Sequence, residues 1–402
     1  MKKILIFSLA YYPKHVGGAE VAIKEITDRI DPNDIEFHMV TNRFDSTLPK
    51  VEQVGNVRVH RIGLTKKNPS MKDLKTFPLH LNKGLYQFAA FHKAKQLHKK
   101  YNYDAVWCMM AHSTGVPGGL FKKTFPETKY ILTLQEGDPP EYIQQKMKPF
   151  GKLFPEAFTQ ADIIQVISTF LGGWARNMGY AGEVVLVPNA VNNEHFSQTY
   201  AEKEIRSVQE ALHKKSKDVF LITTSRLVKK NACDDVIRSL THLPEHVRFI
   251  ILGTGPDEGM LRSLAQELGV ENRVKFVGFV DHTEMPKYLK ASDIFIRPSL
   301  SEGFGSSFVE AFAAEIPVIA TQEGGIADFL FDPERNPDKK PTGRAVDARD
   351  PEGIARAVSL YLENPQQTEE IIKNAKLLAS SEYDWNTIAQ KMEHDVFRAV
   401  LL

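Results

Sequence analysis

Residues Ser301 to Phe312 read SEGFGSSFVEAF. Glu302 and Glu310 stand eight residues apart, and Gly303, Phe304 and Gly305 follow the first of them directly. DIFIRPSL precedes the stretch and IPVIAT follows it, both apolar runs of strand type. Two carboxylates therefore flank a glycine turn in a loop between a strand and a helix. Paired acids in such a loop suit glycoside hydrolysis, a metal site, or recognition of sugar hydroxyls, and the rest of the chain has to choose.

The flanking strands belong to a longer series. Short apolar runs alternate with longer amphipathic ones, the pattern of βαβ units and parallel sheets. In the first half the runs are KILIFSL, EFHMVTN, VRVHRI, DAVWCMM, KYILTLQ and ADIIQVIS. A fresh series begins with VVLVPN and DVFLITTS and continues with VRFIILG, VKFVGF, DIFIRPS and PVIAT. A chain of 402 residues exceeds the size at which a single hydrophobic core stops growing. We expect an α/β protein of two doubly wound Rossmann-like domains, 1–187 and 188–380, with a closing helix over 381–402 that packs back on the first domain. PNAVNNEHF, rich in Pro and Asn, suits the crossover, and ERNPDKKPTG reads as an exposed loop. Open parallel sheets bind ligands beyond the carboxyl ends of their strands, so two such domains facing across a cleft would hold a ligand between them.

Composition narrows the class. Apolar content of 42% and charged content of 25% describe an ordinary soluble globular protein. Cys108 and Cys233 are the two cysteines, which gives no disulfide framework and points to a reducing compartment. MKKILIFSLAYYP reads as a first buried strand rather than a signal peptide, because Pro13, Gly17 and Gly18 follow without a small-residue cleavage site. No run reaches the ~20 apolar residues of a membrane span. The expected location is cytoplasmic. Net charge is +1, yet residues 1–190 hold 25 Lys+Arg against 17 Asp+Glu. Within 61–100 there are ten Lys+Arg and a single acid, Asp73, interleaved with leucines and aromatics. Such a stretch suits peripheral contact with an anionic membrane at its inner face, or else an ordinary helix with its lysines in water. Nucleic acid is not an expected partner.

SEGFGSSFVEAFAAEIPVIAT resembles the acidic motif of the retaining family 4 glycosyltransferases, which have the two-domain GT-B architecture. YYPKHVGGAE, VPNAVNNEHF, TTSRLVKKN, IILGTGPDEGML and YDWNTIA resemble further landmarks of that family, in order and over nearly the whole chain. The resemblance implies a donor that is a nucleotide diphosphate sugar (a UDP- or GDP-sugar) and a glycan or lipid-linked acceptor, as in cell-envelope glycan synthesis. It implies no cofactor. It assigns Glu310 to the ribose and Glu302 to the transferred sugar. The physics agrees, since an ionised carboxylate offers only acceptors and can receive two adjacent hydroxyls. It would repel a diphosphate, whereas Gly303, Phe304, Gly305 and Ser306 can present bare amides to one at a helix N-terminus. The plain alternative is that Glu310 decorates a first helical turn, where the dipole favours acids.

A leaving diphosphate must be neutralised by a metal or by fixed cations. The chain contains no Asp-x-Asp sequence, so SRLVKKN, at the end of a strand, supplies the expected cations: Arg226 first, then Lys230. The family normally places a lysine five residues after this arginine, where Asn231 stands here. We therefore expect a metal-independent transfer. By resemblance Gly17 and Gly18 lie against the donor phosphates, Gly253 and Thr254 near the nucleotide, and the backbone from Gly278 to Val280 near the base. Many relatives end the strand corresponding to YILTL with a histidine, where this chain has Gln135, which cannot serve as a general base. His112, in MMAHSTG, is a second candidate. The resemblance implies retention on one face of the sugar, with the leaving phosphate accepting the acceptor's proton. Two readings compete with transfer: a non-catalytic nucleotide-sugar-binding protein, and a glycoside hydrolase using Glu302 and Glu310 as its acid and base.

Overall fold

The computed structural model describes residues 1–14, 16–70 and 72–401. These form two units, one made of Met1–Asn189 with Trp385–Leu402 and the other of Ala190–Asp384.

The first unit is built on eight strands: β1 (Lys2–Phe7), β2 (Ile35–Asn42), β3 (Val51–Val54), β4 (Val57–Ile62), β5 (Ala105–Met109), β6 (Lys129–Leu134), β7 (Ile163–Val166) and β8 (Glu183–Leu186). Their spatial order is β3-β4-β2-β1-β5-β6-β7-β8, and only the β3–β4 pair is antiparallel. The opening KKILIF is β1, paired on both sides and buried from Ile4 to Phe7. A strand buried on both faces needs an unbroken apolar run rather than an alternating one, which is why it mimics a leader. The order of strands reverses between β1 and β5, so the ends of these two strands open a crevice.

Two features depart from the sequence pattern. VVLVPN contributes β8, which pairs with β7 in the first sheet instead of starting the second. An apolar run identifies a strand but not its partner. β3 has the sequence VEQV, exposed and half-buried by turns, and sits at the edge, where few apolar residues are required. The closing segment, from the helix Trp385–Lys391 onward, completes this unit. Buried Phe397 lays its ring 5.0 Å from that of Trp107 and 5.8 Å from that of Phe37.

The second unit has six parallel strands: β9 (Val219–Thr224), β10 (Val247–Leu252), β11 (Val274–Gly278), β12 (Ile294–Arg297), β13 (Val318–Ala320) and β14 (Arg344–Ala345). The order is β11-β10-β9-β12-β13-β14, reversing between β9 and β12. Leu221, Phe249, Ile251, Ile296 and Ile319 form one core with Ile354 and Val358 of the helix Pro351–Glu363. Both cysteines are free and buried. Among the described residues no helix is long and apolar enough to cross a membrane.

Candidate functional site

In the second unit the acidic stretch follows β12, beside the reversal of strand order. The helix Ser306–Ala313 begins after Gly305, whose φ of 93° belongs to the left-handed region that glycine adopts without strain. Glu302 is held at both ends. The Gly325 N–H donates to its carbonyl at 2.9 Å. A Cβ on Gly324 would lie 2.1 Å from that same oxygen, so glycine is required there. Its side chain accepts from Arg297 Nη2 at 3.1 Å. Glu310 is the fifth residue of its helix, and the first turn carries no acid, so the dipole explanation does not apply to it. His282 Nε2, from the loop after β11, lies 3.2 Å from Glu310 Oε1. That hydrogen bond raises the histidine above its ordinary pKa.

The expectation for Phe304 concerns its amide alone, and its side chain turns to the core. Its side chain is 2% exposed and packs against Phe329 and Tyr383, each with ring centroids 5.4 Å away. An aromatic between two glycines anchors this loop to the core, so only its main chain could meet a ligand.

The Arg226 loop follows β9, directly across the reversal. Arg226 is exposed. The Leu300 N–H donates to the Lys230 carbonyl at 2.7 Å, tying this loop to the acidic one. Asn231 is 5% exposed, and its Nδ2 donates to the Arg226 carbonyl at 2.6 Å. Where the resemblance puts a cation, the chain has a brace. Gly253, at φ 139°, passes so close to the same loop that a Cβ would lie 1.9 Å from the Ser225 carbonyl. The Thr254 carbonyl accepts from the Leu227 N–H at 3.1 Å, and the Gly278 carbonyl from the Gly253 N–H at 2.7 Å. Gly278 has open space where a side chain would stand, next to Phe279, which is 80% exposed. The ends of β9, β10, β11 and β12 thus form one rim.

In the first unit, Gly17 and Gly18 follow β1 and His112 follows β5, on either side of that sheet's reversal. Gly17 caps the helix Gly18–Thr27, and its N–H donates to Glu20 Oε2 at 2.7 Å. Burial raises the Glu20 carboxyl above its ordinary pKa. Among the described residues, and apart from its chain neighbours and its own helix backbone, no atom lies within 4 Å of a Cβ built on Gly18. His112 Nδ1 lies 3.3 Å from Glu136 Oε1, and its Nε2 lies 3.1 Å from Ser113 Oγ. Glu136, 1% exposed, also accepts from the Gln135 N–H at 2.9 Å. The Gln135 amide pairs with Asn189 at 3.1 Å. Gln135 and His112, far apart in sequence, are organised around a single buried carboxylate that the sequence reading missed. Its signal was an acid two residues beyond the end of a buried strand.

The basic stretch is mixed. Leu79 and Tyr86 are buried, and the Tyr86 hydroxyl donates to the Val40 carbonyl at 2.7 Å. Phe77, Leu81, Leu85 and Phe88 are exposed, the last three at helical spacing near the start of the helix Asn82–Tyr101.

Comparison with known proteins matches residues 204–378 to the family described as glycosyl transferases group 1, and residues 16–195 to glycosyltransferase family 4. The chain is 26% identical to an alpha-monoglucosyldiacylglycerol synthase of Acholeplasma laidlawii, over 82% of this chain and 83% of that one. Its structure resembles sucrose-phosphate synthase from Thermosynechococcus elongatus, with a TM-score of 0.80 at 20% identity, covering 100% of this chain and 99% of the other. It also resembles Anabaena HepE in complex with UDP, with a TM-score of 0.77 at 20% identity, covering 99% and 100%.

Proposed function

The chain belongs to glycosyltransferase family 4, with the GT-B architecture, and from that premise we propose that it moves a hexose-type sugar from a nucleotide diphosphate sugar to a glycan or lipid-linked acceptor, with retention. The second unit takes the donor. Glu310 accepts the ribose hydroxyls and Glu302 those of the sugar. Arg226, Lys230 and the amides from Gly303 to Ser306 receive the leaving diphosphate without an obligatory metal. Gly253, Thr254 and Gly278 line the nucleotide's path. The acceptor belongs to the first unit, where Gln135 and His112 hold its hydroxyls, and the leaving phosphate takes the acceptor's proton.

The observation that supports this reading is the tie between the Arg226 loop and the acidic loop at the β9/β12 reversal, made by Leu300 and Lys230. A hydrolase needs no such cradle for a diphosphate. The relative from Acholeplasma laidlawii is named for a monoglucosyldiacylglycerol product. The exposed Phe77, Leu81, Leu85 and Phe88 among lysines support a cytoplasmic enzyme resting on an anionic membrane face, in cell-envelope glycan synthesis. Asn231, a brace where relatives carry a lysine, favours one alternative, a nucleotide-sugar-binding protein without turnover.

A panel of UDP- and GDP-sugars tests the reading. One donor should raise the melting temperature by mass action and be consumed in the presence of EDTA. Binding without turnover selects the alternative, and activity abolished by EDTA and restored by magnesium removes the metal-free chemistry.

A further inference from the structure

Arg297 is the last residue of β12 and is 7% exposed. A guanidinium so deep in a protein is costly unless a carboxylate accompanies it. Here the companion is Glu302, reached by Nη2 at 3.1 Å, with both side chains largely covered. The rest of the guanidinium lies over the Phe308 ring, 4.3 Å from its centroid, and Phe308 is itself fully buried between Phe295 and Phe329. Arg297 Nε is buried without a hydrogen-bond partner among the described residues. One donor of the fork therefore grips the carboxylate, and the aromatic face fixes the plane from which it does so.

Glu302 is consequently constrained twice. Gly324 and Gly325 fix its main chain, and Arg297 fixes Oε2. Oε1 is the oxygen that this contact leaves available. A carboxylate that must accept hydroxyls at a defined angle gains from such preorganisation, because little rotamer freedom remains to be lost on binding.

We propose that Arg297 is a positioning residue for recognition of the donor's sugar: by holding one oxygen of Glu302 it aims the other at the hydroxyls of the transferred hexose. This rests on the assignment of Glu302 to the sugar. Nucleotide recognition does not pass through the pair, so Arg297 governs the sugar increment of donor binding and not the nucleotide itself.

Calorimetry with UDP and UDP-glucose, and with GDP and GDP-mannose, separates the two contributions. For the pair that binds, Arg297→Met should leave the nucleoside diphosphate Kd within about twofold and weaken the sugar nucleotide by roughly ten- to hundredfold, the worth of one hydrogen bond to a charged group. Arg297→Lys, which keeps the charge but loses the fork, should recover part of that. In a Glu302→Gln background, which also neutralises the charge left buried, Arg297→Met should change the ratio of the two Kd values no further. Equal weakening of nucleotide and sugar nucleotide, or a full additional loss in the Glu302→Gln background, overturns the proposal. If Glu302→Gln alone leaves the ratio unchanged, the assignment of Glu302 falls first and the role of Arg297 falls with it.

Discussion

Around the reversal between β9 and β12, neighbouring loops hold one another mainly through their main chains. Leu227 bonds Thr254, Gly253 bonds Gly278, Leu300 bonds Lys230 and Gly325 bonds Glu302. Around the reversal between β1 and β5 main-chain ties, Asn42 to Leu9 and Met110 to Thr133, are joined by side-chain ones: Gln135 to Asn189, and His112 to Glu136 and Ser113. Main-chain lacing tolerates almost any side chain that points away from it, but not an extra Cβ where backbones touch. Side-chain ties can be retuned one residue at a time. On the proposed reading the laced end meets the donor, whose phosphates and ribose vary little, and the adjustable end meets the acceptor.

Gly253→Ala should break the laced end outright. Its Cβ would stand 1.9 Å from the Ser225 carbonyl at a positive φ, so we expect a loss of about 3 kcal/mol or more in urea unfolding. Gly18→Ala, in open space at the first unit's reversal, should stay within about 0.5 kcal/mol. Equal effects would erase the distinction.

Acid should separate the units next. Burial lowers His60 of the first unit from 6.5 to about 4, and lowers His38 as well. Between those two values the unfolded chain binds a proton at position 60 that the folded chain refuses. The stability from keeping His60 neutral is therefore complete above about pH 6.5 and is lost as pH falls toward 4, on the order of 2–3 kcal/mol. His282 in the second unit runs the other way: its pKa is raised by Glu310, so its contribution is present in acid and fades as pH rises through that value. Melting curves from pH 7 to pH 4.5 should show an acid loss that His60→Gln reduces. An unchanged loss in that variant would detach it from the histidine.

The smallest effects concern binding. Glu310→Ala should weaken the nucleoside diphosphate by roughly ten- to hundredfold, the worth of one charged hydrogen bond, while Glu136→Gln leaves that affinity alone and lowers turnover about tenfold. If Glu136→Gln altered nucleotide affinity in calorimetry, the division of labour between the two ends would be wrong.

The architecture was legible because strands buried on both faces are mostly apolar, and the apolar runs of the sequence coincide, to within a residue, with β1, β2, β5, β6, β9, β10, β12 and β13. What escaped depended on partners rather than on local pattern: the sheet to which β8 belongs, and β3, whose VEQV carries little apolar signal. Around the site the sequence located the acidic loop but could not tell which of its side chains turn inward. Phe304 went to the core for that reason, and Asn231 became a brace because its amide reaches the Arg226 carbonyl. Arg297 and Glu136 were missed as charges at the ends of apolar strands, which only neighbours distant in sequence explain. A charge that closes a buried strand is the sign to look for.

The closing segment has a consequence for how the protein is made. Trp107 and Phe37 lie early in the chain, but the ring that covers them belongs to Phe397. A ribosome therefore delivers every strand of the first sheet, and then the whole of the second unit, before the first core can be sealed. The half synthesised first is finished last, and until then an indole and a phenyl ring stay open to solvent or to a chaperone.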